Sequence, residues 1–397
     1  MSKLEELIQE LCPNGIQYHL IGDICDVLTG GEAPPESIKE KEPQGEYIYP
    51  IYSNGLGDNA LWGYSKTFRI DKPAVTFSSI GTIGFPTLRE AKFTPIIRLK
   101  VIYPKDANKL NICFLKYALE IVQFEKQKSS VANVNASMIK NIKIPVPPLP
   151  VQEEIVRILD NFTELTTELT TELAARKRQY EYYRDSLLDI SNLKPNAVMH
   201  VGDLFEIKNG LNKEKSAFGK GTPIVNFADV YNKRYLTKDM VKGLVTLTDS
   251  EVERYSVKKG DVFFTRTSET KEDIGMSSTV IDDIPNCTFS GFVLRARPLT
   301  DLLLPKFCSY YFSTKKVRDT IVRYASFTTR ATTSGPKLSK IPVPIIDIEE
   351  QKRIVGILDR FDTLCNDIST GLPAEIEARQ KQYEYYRDKL LTFKELK

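Results

Sequence analysis

Histidine is scarce in this chain of 397 residues, in which only His19 and His200 occur. Histidine is the side chain that most often transfers protons in enzymes, so few general acid–base candidates remain. Both histidines stand just before similar segments, which begin at Ile21 and Val201, and this matched placement favours a structural role. The motifs G-x-G-x-x-G, G-x-x-x-x-G-K-[ST], G-x-S-x-G and H-E-x-x-H are also missing. These absences argue against an autonomous enzyme.

Long apolar runs and paired cysteines are missing as well. No run of eighteen apolar residues occurs, and the segment up to Cys12 has the pattern of an amphipathic helix rather than a leader. The six cysteines show no C-x-x-C spacing, which predicts reduced thiols and neither a disulfide framework nor a metal site. We therefore expect a cytoplasmic protein that has several domains and does not enter a membrane.

An internal repeat organises the sequence. The segment Ile155 to Phe162 returns as Ile354 to Phe361, and Gln-Tyr-Glu-Tyr-Tyr-Arg-Asp at 179–185 returns at 382–388. The two copies lie about two hundred residues apart, a period far too long for a solenoid. One module therefore occurs twice, and each copy closes with a helix.

Apolar residues in both closing segments recur three or four positions apart, as one face of a helix requires. The first copy has no interrupting Gly or Pro and predicts a helix of roughly 55 Å, whereas Gly371-Leu372-Pro373 breaks the second. Two such faces predict an intramolecular antiparallel coiled coil; the alternative is two ordinary amphipathic helices on separate domains. The predicted positions of the helix seam and of partner binding are Ile155, Phe162, Leu169, Tyr180, Tyr183, Ile354, Phe361, Tyr383 and Tyr386.

Both copies continue with short β-rich runs and one helix before a proline-rich hinge. The predicted strands are 47–52, 74–77, 96–103, 223–227, 261–265 and 289–297, and the predicted helices are 111–127 and 306–324. The fold class is therefore α+β, with two similar globular domains separated by two long antiparallel helices in a pseudo-twofold arrangement. The boundaries are an N-terminal helix at 1–16, domains at 17–148 and 193–345, a central long helix at 149–192 and a C-terminal long helix at 346–397.

Positive charge is concentrated in the second predicted domain. The whole chain has a net charge of +3, but residues 201–340 contain 23 basic and 16 acidic side chains. A basic module suggests a polyanionic partner. The helical segments have an excess of acidic residues, which suits contacts with protein.

Polar loops that follow a predicted strand are the best candidates for function. Arginine binds the guanine edge with two hydrogen bonds, hydroxyls donate or accept, and glycine permits close approach. A basic, polar run also precedes each hinge. One such loop alone is as often a solvated surface turn, but their occurrence in both copies favours DNA binding; the loop Asn54 to Tyr64 is a weaker candidate. The predicted DNA-binding residues are Ser78, Ser79, Thr82, Lys126, Lys128, Lys140, Thr265, Arg266, Thr267, Ser268, Lys271, Arg330 and Lys337.

Taken together, these motifs resemble the specificity subunit of a type I DNA restriction–modification enzyme. The resemblance covers nearly the whole chain and rests on the repeated Gln-Tyr-Glu-Tyr-Tyr-Arg-Asp, the Ile-Leu-Asp-x-Phe helix starts and the Ile-Pro-Val-Pro hinges at 144–147 and 341–344. It implies two target-recognition domains, each of which reads one half of a bipartite target in double-stranded DNA. It also implies that the helices dock two methyltransferase (modification) subunits, with restriction/translocase subunits outside them. The family transfers methyl groups from S-adenosylmethionine on the partner, so no cofactor of this chain's own is expected.

Two other classes of function stay open at this point. A single-chain nuclease or methyltransferase fusion would turn over labelled S-adenosylmethionine without a partner. A coiled-coil adaptor that does not read DNA would show no salt-dependent DNA affinity.

The middle of the first long helix contains a tetrapeptide repeated three times, from Thr163 to Ala174. It is either a convenient helix-forming filler or a ruler. One repeat adds about 6 Å and a net rotation of about 40°. One base pair of B-DNA advances ~3.4 Å and rotates roughly 35°. The rotations match, which motivates the ruler hypothesis.

We predict that variants with two or four repeats shift the unread spacer between half-sites by about one base pair and leave both half-site sequences unchanged. Sequencing the methylated positions in a host that expresses each variant with the whole system measures the spacer. Modification of the original sites alone by both variants would show that the repeat is not a ruler.

Overall fold

The structure is a computed structural model that describes residues 2–79, 85–122, 134–367 and 369–396. The chain divides into two compact units: the first comprises Met1–Leu169 and Ile376–Lys397, and the second comprises Thr170–Glu375. Each unit contains one globular domain, the start of one long helix and the end of the other. Among the described residues, no helix is both long and apolar enough to span a bilayer.

The first domain consists of short strands and four short helices that precede a helix of 39 residues. The helices are α1 (Lys3–Leu11), α2 (Ile21–Ile24), α3 (Ile112–Glu120), α4 (Ala136–Lys140) and the long α5 (Leu149–Leu187). The strands are β1 (Tyr18–Leu20), β2 (Cys25–Thr29), β3 (Ser37–Ile38), β4 (Tyr49–Tyr52), β5 (Leu61–Ser65), β6 (Ala74–Phe77), β7 (Thr87–Arg89), β8 (Thr94–Pro95), β9 (Lys100–Pro104) and β10 (Lys143–Pro145).

Two four-stranded sheets form the first domain, in the orders β2-β9-β6-β7 and β3-β5-β4-β8, and β1 pairs with β10. All four residues of β6 are buried, as a continuous apolar run predicts for a central strand. Val75 and Phe77 of this strand share one apolar core with α3, with Ile155 and Leu159 of α5 and with Leu391 just after the C-terminal helix. The core therefore fastens the start of one long helix and the end of the other to the same domain.

The second domain repeats this plan with additional strands. The helices of the second half of the chain are α6 (Ile190–Leu193), α7 (Val201–Leu204), α8 (Phe227–Asn232), α9 (Asp249–Arg254), α10 (Pro305–Tyr311), α11 (Lys315–Tyr324), α12 (Gly335–Leu338), α13 (Ile348–Asn366) and α14 (Leu372–Leu390), the last of which lies mostly in the first unit. The strands of the second domain are β11 (Ala197–His200), β12 (Phe205–Asn209), β13 (Phe218–Val225), β14 (Tyr235–Leu236), β15 (Leu244–Val245), β16 (Val262–Thr265), β17 (Thr267–Ser268), β18 (Ser277–Val280), β19 (Thr288–Phe289), β20 (Val293–Pro298), β21 (Ser326–Phe327), β22 (Ala331–Thr332) and β23 (Pro342–Ile345).

A five-stranded sheet of order β12-β20-β16-β18-β14 is the centre of the second domain. Three-stranded sheets β15-β13-β19 and β17-β22-β21 accompany it, and β11 pairs with β23 as β1 pairs with β10. Strand β16 is buried throughout, like β6. The α+β class and the two-copy plan are therefore confirmed.

Several predicted elements differ in extent from the observed ones. The predicted strand 74–77 is confirmed, but 96–103 is interrupted between β8 and β9, and 289–297 between β19 and β20. The predicted helix 306–324 is wrong as one helix, since it divides into α10 and α11. Ser313 and Thr314 stand at this break and donate hydroxyl hydrogen bonds to the carbonyl oxygens of Tyr310 and Tyr311. Such local bonds compete with helix continuation.

The predicted break in the second long helix is confirmed. Helix α13 ends at Asn366 and α14 begins at Leu372. A Cβ atom at Gly371 would lie 2.5 Å from the carbonyl oxygen of Thr363, so only glycine fits this reversal. The side chain of Asp367 accepts hydrogen bonds from the backbone N–H groups of Ser369 and Thr370 and thereby closes the turn.

The two long helices pair inside each unit, as the seam prediction requires. In the first unit, Phe162 of α5 stacks on Tyr386 of α14, with ring centroids 5.4 Å apart. In the second unit, Tyr183 of α5 stacks on Phe361 of α13 at 5.5 Å. Phe162 and Phe361 are equivalent positions of the repeat, and so are Tyr183 and Tyr386. The same Phe–Tyr contact therefore occurs twice, each time between one residue of each copy. Leu165 is 46% exposed and lies outside this seam.

The remaining seam positions lie at different depths. Ile155 and Ile354 are buried in the cores of their units, and Tyr180 is 8% exposed. Tyr383 is half-buried, and its hydroxyl donates a hydrogen bond to Glu120 of α3. Leu169 is half-buried. Their role in binding a partner stays a prediction.

A buried glutamine at the start of each long helix fastens that helix to its domain. Gln152 is fully buried; its Nε2 donates to the carbonyl oxygens of Lys109 (2.8 Å) and Pro147 (2.6 Å), and its Oε1 accepts from the N–H of Asn111 (2.8 Å). The hinge, the loop before α3 and the long helix thus meet at one side chain.

Gln351 makes the same three bonds in the second unit. Its Nε2 donates to the carbonyl oxygens of Leu302 and Ile346, and its Oε1 accepts from the N–H of Leu304. A second pair of matched contacts follows about two turns later, where Tyr117 donates to Asp160 and Tyr310 donates to Asp359. We call Gln152 and Gln351 the glutamine clips.

We predict that Gln152→Ala or Gln351→Ala lowers the free energy of unfolding of its own unit by about 3 kcal/mol. Each substitution leaves three buried backbone groups without a partner, and each such group costs roughly 1–3 kcal/mol. Thermal unfolding of the full chain measures the loss, and Gln9→Ala on the exposed face of α1 is the matched control. An unchanged melting temperature in both clip variants would contradict the assignment.

Candidate nucleic-acid interface

The two candidate runs of the second domain meet where the central strand β16 ends. The N–H of Arg266 donates to the carbonyl oxygen of Phe292 (2.9 Å), and the carbonyl oxygen of Arg266 accepts from the N–H of Thr333 (3.0 Å). One residue thus joins the strand end, the turn between β19 and β20, and the segment that leads to the hinge. We call this meeting point the second junction.

A small sheet extends the second junction. Thr267 pairs with Thr332 and Ser268 with Ala331, while β21 pairs with the other edge of β22. The loop at 265–271 and the run at 323–340, which are far apart in sequence, therefore form one surface. Their role in DNA binding stays a prediction.

Basic and aromatic side chains are exposed on this surface. Phe292 and Phe327 are 63% and 53% exposed, and Arg330 and Lys271 are exposed as well. Arg266 is half-buried, and its Nη1 lies 3.5 Å from the carbonyl oxygen of Gly291. Guanidinium groups, hydroxyls and aromatic faces are what proteins use to contact base edges and to stack on bases.

Three of the predicted residues form hydrogen bonds within the protein. Thr265 is fully buried, and its Oγ1 accepts a hydrogen bond from the N–H of Met276 at 2.9 Å. The Nζ of Lys337 donates to the Oγ of Ser326, and the Oγ of Ser268 accepts from the N–H of Thr270. The hydroxyl of Thr265 therefore faces the protein interior, because it satisfies a backbone donor that would otherwise be unpaired.

The first domain builds an equivalent junction at Ser79. The carbonyl oxygen of Ser79 accepts from the N–H of Val134 (3.2 Å), and its Oγ donates to the carbonyl oxygen of Arg98 (2.9 Å). The Oδ1 of Asn54 accepts from the N–H of Ser79, and the Nδ2 of Asn54 donates to the carbonyl oxygen of Ile97. The weaker candidate loop that begins at Asn54 is thus part of the first junction.

The predicted residues of the first domain are placed less favourably for contact. Ser78 and Ser79 are 5% and 0% exposed, so their hydroxyls support the junction from inside. Lys140 is exposed, but it lies against Gly22 of the opening helix α2 and away from the junction. Thr82, Lys126 and Lys128 lie outside the described residues.

Sequence reasoning missed the turns at the two junctions, Ile97–Arg98 and Gly291–Phe292. Each falls inside a β-rich run that predicts one continuous strand; Ser290-Gly291 is a turn signal, whereas nothing at Ile97–Arg98 marks a turn. Ile97 is 53% exposed, and both Ile97 and Arg98 have positive φ angles (52° and 59°), which non-glycine residues rarely adopt. Such backbone outliers concentrate at functional sites.

A buried lysine lies beneath the first junction. Lys100 is 6% exposed, and its Nζ donates to the Oγ1 of Thr29 at 3.1 Å. Burial, and secondly the charge of Arg98, lower the pKa of Lys100 from its usual value. The domain therefore keeps two positive charges close together, an arrangement that attracts an anion.

A buried salt bridge lies at the start of the central strand, at the opposite end from the second junction. Asp261 is fully buried, and its carboxylate accepts two hydrogen bonds from the guanidinium of Arg297, both at 2.8 Å. This bidentate pair fixes the start of the central strand against β20. Among the residues that the structure describes, no group of three or more His, Cys, Asp or Glu side chains is arranged to hold a metal ion.

Comparison with protein families finds two matches along the chain. Residues 13–176 and 194–378 each match the family described as type I restriction modification DNA specificity domain. The two matched stretches begin close to the two predicted domains and extend into the two long helices.

Individual relatives cover most of the chain. A type I restriction enzyme specificity subunit of Escherichia coli is 33% identical over 99% of this chain and 97% of its own length. A putative type I restriction enzyme specificity subunit of Haemophilus influenzae is 34% identical over 66% of each chain.

Solved structures share the fold. A chain from work on complex assembly and conformational transition of a type I restriction–modification system matches with a TM-score of 0.61 and 14% identity, over 96% of this chain and 98% of that one. The S subunit of a type I system from M. genitalium matches with a TM-score of 0.51 and 16% identity, over 95% and 96%. At these identities the likeness concerns the fold alone.

Proposed function

Because the chain belongs to the specificity subunits of type I restriction–modification enzymes, we propose that it reads a bipartite target in double-stranded DNA, one half-site with each domain. The observation that carries the proposal is the duplicated junction. In both domains a backbone N–H of the segment before the hinge donates to the carbonyl oxygen of the strand end. The strand end is joined to the turn by the backbone N–H of Arg266 in the second domain and by the Oγ of Ser79 in the first, and the side chains on this frame differ. A common frame with different side chains is what two different half-sites require.

Base reading by the second domain centres on Arg266. Its backbone is held on two sides by Phe292 and Thr333, so the guanidinium starts from a fixed position. A guanidinium held in this way can donate two hydrogen bonds to guanine O6 and N7 in the major groove. Exposed Arg330 and Lys271 on the same surface suit phosphate contacts, which position the protein without reading sequence.

The chain itself performs no catalysis in this proposal; it scaffolds the methyltransferase and restriction subunits. Exposed tyrosines at matching positions support docking of two copies of one partner. Tyr182 is 68% exposed and Tyr385 is 62% exposed, and each contacts the neighbouring seam tyrosine edge-on. Large exposed aromatic side chains that recur in both copies of a repeat are typical anchors of a protein interface.

The test is modification by the purified chain with its methyltransferase partner on DNA. The complex is expected to transfer methyl groups from labelled S-adenosylmethionine to one bipartite sequence, whereas the chain alone binds DNA and transfers nothing. Turnover by the chain alone would contradict the non-catalytic role. Affinity that does not depend on sequence or salt would contradict DNA reading.

We predict that Arg266→Ala weakens binding to the target by ~1–3 kcal/mol and relaxes base preference in one half-site only. Binding of the methyltransferase complex to duplexes altered in either half-site measures both effects. The control is Lys315→Ala, which removes an exposed charge elsewhere in the same unit. An equal loss on target and random DNA would reduce Arg266 to a phosphate contact.

A further inference from the structure

We infer that Arg98, with the charge of Lys100 beneath it, is the base-reading arginine of the first domain. The inference rests on the proposed function and adds the residue through which the first half-site is read. It follows from a comparison of the two junctions. The arginine lies at the end of the central strand in the second domain and on the turn in the first.

The turns of the two junctions are held by corresponding backbone hydrogen bonds. Each turn is bonded to the segment that follows β2 or β12, to strand β4 or β13, and to itself through a closing hydrogen bond. The first junction has the bonds Ile97 N–H to Gly31 O (2.8 Å), Ile96 N–H to Tyr52 O (2.9 Å) and Leu99 N–H to Ile96 O (3.1 Å). The second has Gly291 N–H to Leu211 O (2.7 Å), Ser290 N–H to Val225 O (3.0 Å) and Val293 N–H to Ser290 O (3.1 Å).

This correspondence pairs Arg98 with Phe292, and the register of the central strands pairs Ser79 with Arg266. In the sheets, Phe77 pairs with Lys100, and Phe264 pairs with Leu294. Two residues after these phenylalanines, the carbonyl oxygen of Ser79 accepts from the N–H of Val134, and that of Arg266 accepts from the N–H of Thr333. The second junction thus has its arginine on the strand end and its apolar side chain on the turn. The first has a serine on the strand end and places Ile97 and Arg98 together on the turn.

Both junctions therefore present the same chemistry from different positions. Each offers one arginine and one large exposed apolar residue, Ile97 in the first and Phe292 in the second. An arginine reads the guanine edge, and an apolar group contacts the thymine methyl or stacks on a base. If the residues at these positions had changed without any requirement for DNA binding, both junctions would not be expected to keep an arginine together with an exposed apolar residue.

The turn of the first domain is strained in a way that folding alone does not require. Ile97 and Arg98 both have positive φ angles, whereas the φ angles of their counterparts, Gly291 and Phe292, are not in the positive range. A β-branched residue is among the least suited to such a backbone. The turn keeps Arg98 exposed, and its guanidinium forms no hydrogen bond or ion pair with any residue that the structure describes.

Lys100 adds a second charge that the fold does not need. The corresponding residue in the second domain, Leu294, is an ordinary buried apolar residue. Within the described part of the chain, the ammonium of Lys100 has a hydroxyl partner but no carboxylate. A buried cation without a counter-charge destabilises a protein unless an anion binds nearby, and a DNA phosphate would be that anion.

The test uses the full chain with its methyltransferase subunits, once methylation mapping has given the wild-type target. Arg98→Ala is expected to weaken target binding on the order of 10- to 100-fold and to lose discrimination in the half-site that Arg266→Ala leaves intact. Arg98→Lys keeps the charge but not the bidentate geometry, so it is expected to restore affinity for random DNA and not discrimination. Lys109→Ala, whose side chain is 82% exposed beside the start of α5, is the matched control with no change.

Discrimination kept in both half-sites by Arg98→Ala would overturn the inference and leave the proposed function intact. Loss in the same half-site as Arg266→Ala would overturn it as well. A wild-type complex without any sequence preference would instead contradict the proposed function itself, so the two failures are distinguishable.

Lys100→Met is expected to change stability and DNA binding in opposite directions. The variant is expected to have a higher melting temperature than the wild type, because it removes a buried charge, and at the same time weaker DNA binding with a shallower salt dependence. A lower melting temperature together with weaker binding would show that Lys100 is needed for the fold and would overturn its assigned role.

Discussion

The glutamine clips are the interaction on which the rest of each unit depends. The fully buried side-chain amides of Gln152 and Gln351 each donate two hydrogen bonds and accept one, all with backbone groups. Those groups belong to the hinge and to the loop before the domain helix, neither of which has a strand or helix partner of its own at that point. A net ~0.5–1.5 kcal/mol for each bond is modest, but the cost of leaving these groups unpaired in the interior is larger. The clip therefore fixes how each long helix leaves its domain, and the matched Tyr117–Asp160 and Tyr310–Asp359 contacts reinforce the same exit.

A frame made of backbone hydrogen bonds explains how two domains of one chain can differ in what they bind. At each junction the turn and the returning segment are held through N–H and C=O groups, which every non-proline residue carries. The strand end is joined to the turn by the N–H of Arg266 in the second domain and by the Oγ of Ser79 in the first. Side chains on the turn can change without loss of its backbone bonds, as Arg98 against Phe292 illustrates. Buried hydroxyls such as those of Ser79 and Thr265 satisfy backbone groups close to the surface and leave exposed positions available for DNA.

The sequence predicted what depends on periodicity and repetition. The long helices, their seam and the break at Gly371 follow from apolar spacing and from a glycine that no other residue could replace. The meeting of 265–271 with 323–340 was not predicted, because it depends on the long-range pairing of Thr267 with Thr332. The turn at Ile97–Arg98 was missed because its residues have the composition of a strand, and tertiary hydrogen bonds impose its positive φ angles. The turn at Phe292 was missed although Ser290-Gly291 is a turn signal. Burial of Ser78, Ser79 and Thr265 could not be predicted either, since a polar loop residue is usually solvated.

We propose that each domain reads its own half-site through its own junction. The decisive experiment replaces the first domain, residues 17–148, with a copy of the second, residues 197–346, and maps the methylated positions in a host that expresses the whole system. Two copies of one junction should select two identical half-sites, both equal to the one that the wild type reads with its second domain. An unchanged asymmetric target would contradict the claim, because the first domain would then contribute nothing to recognition.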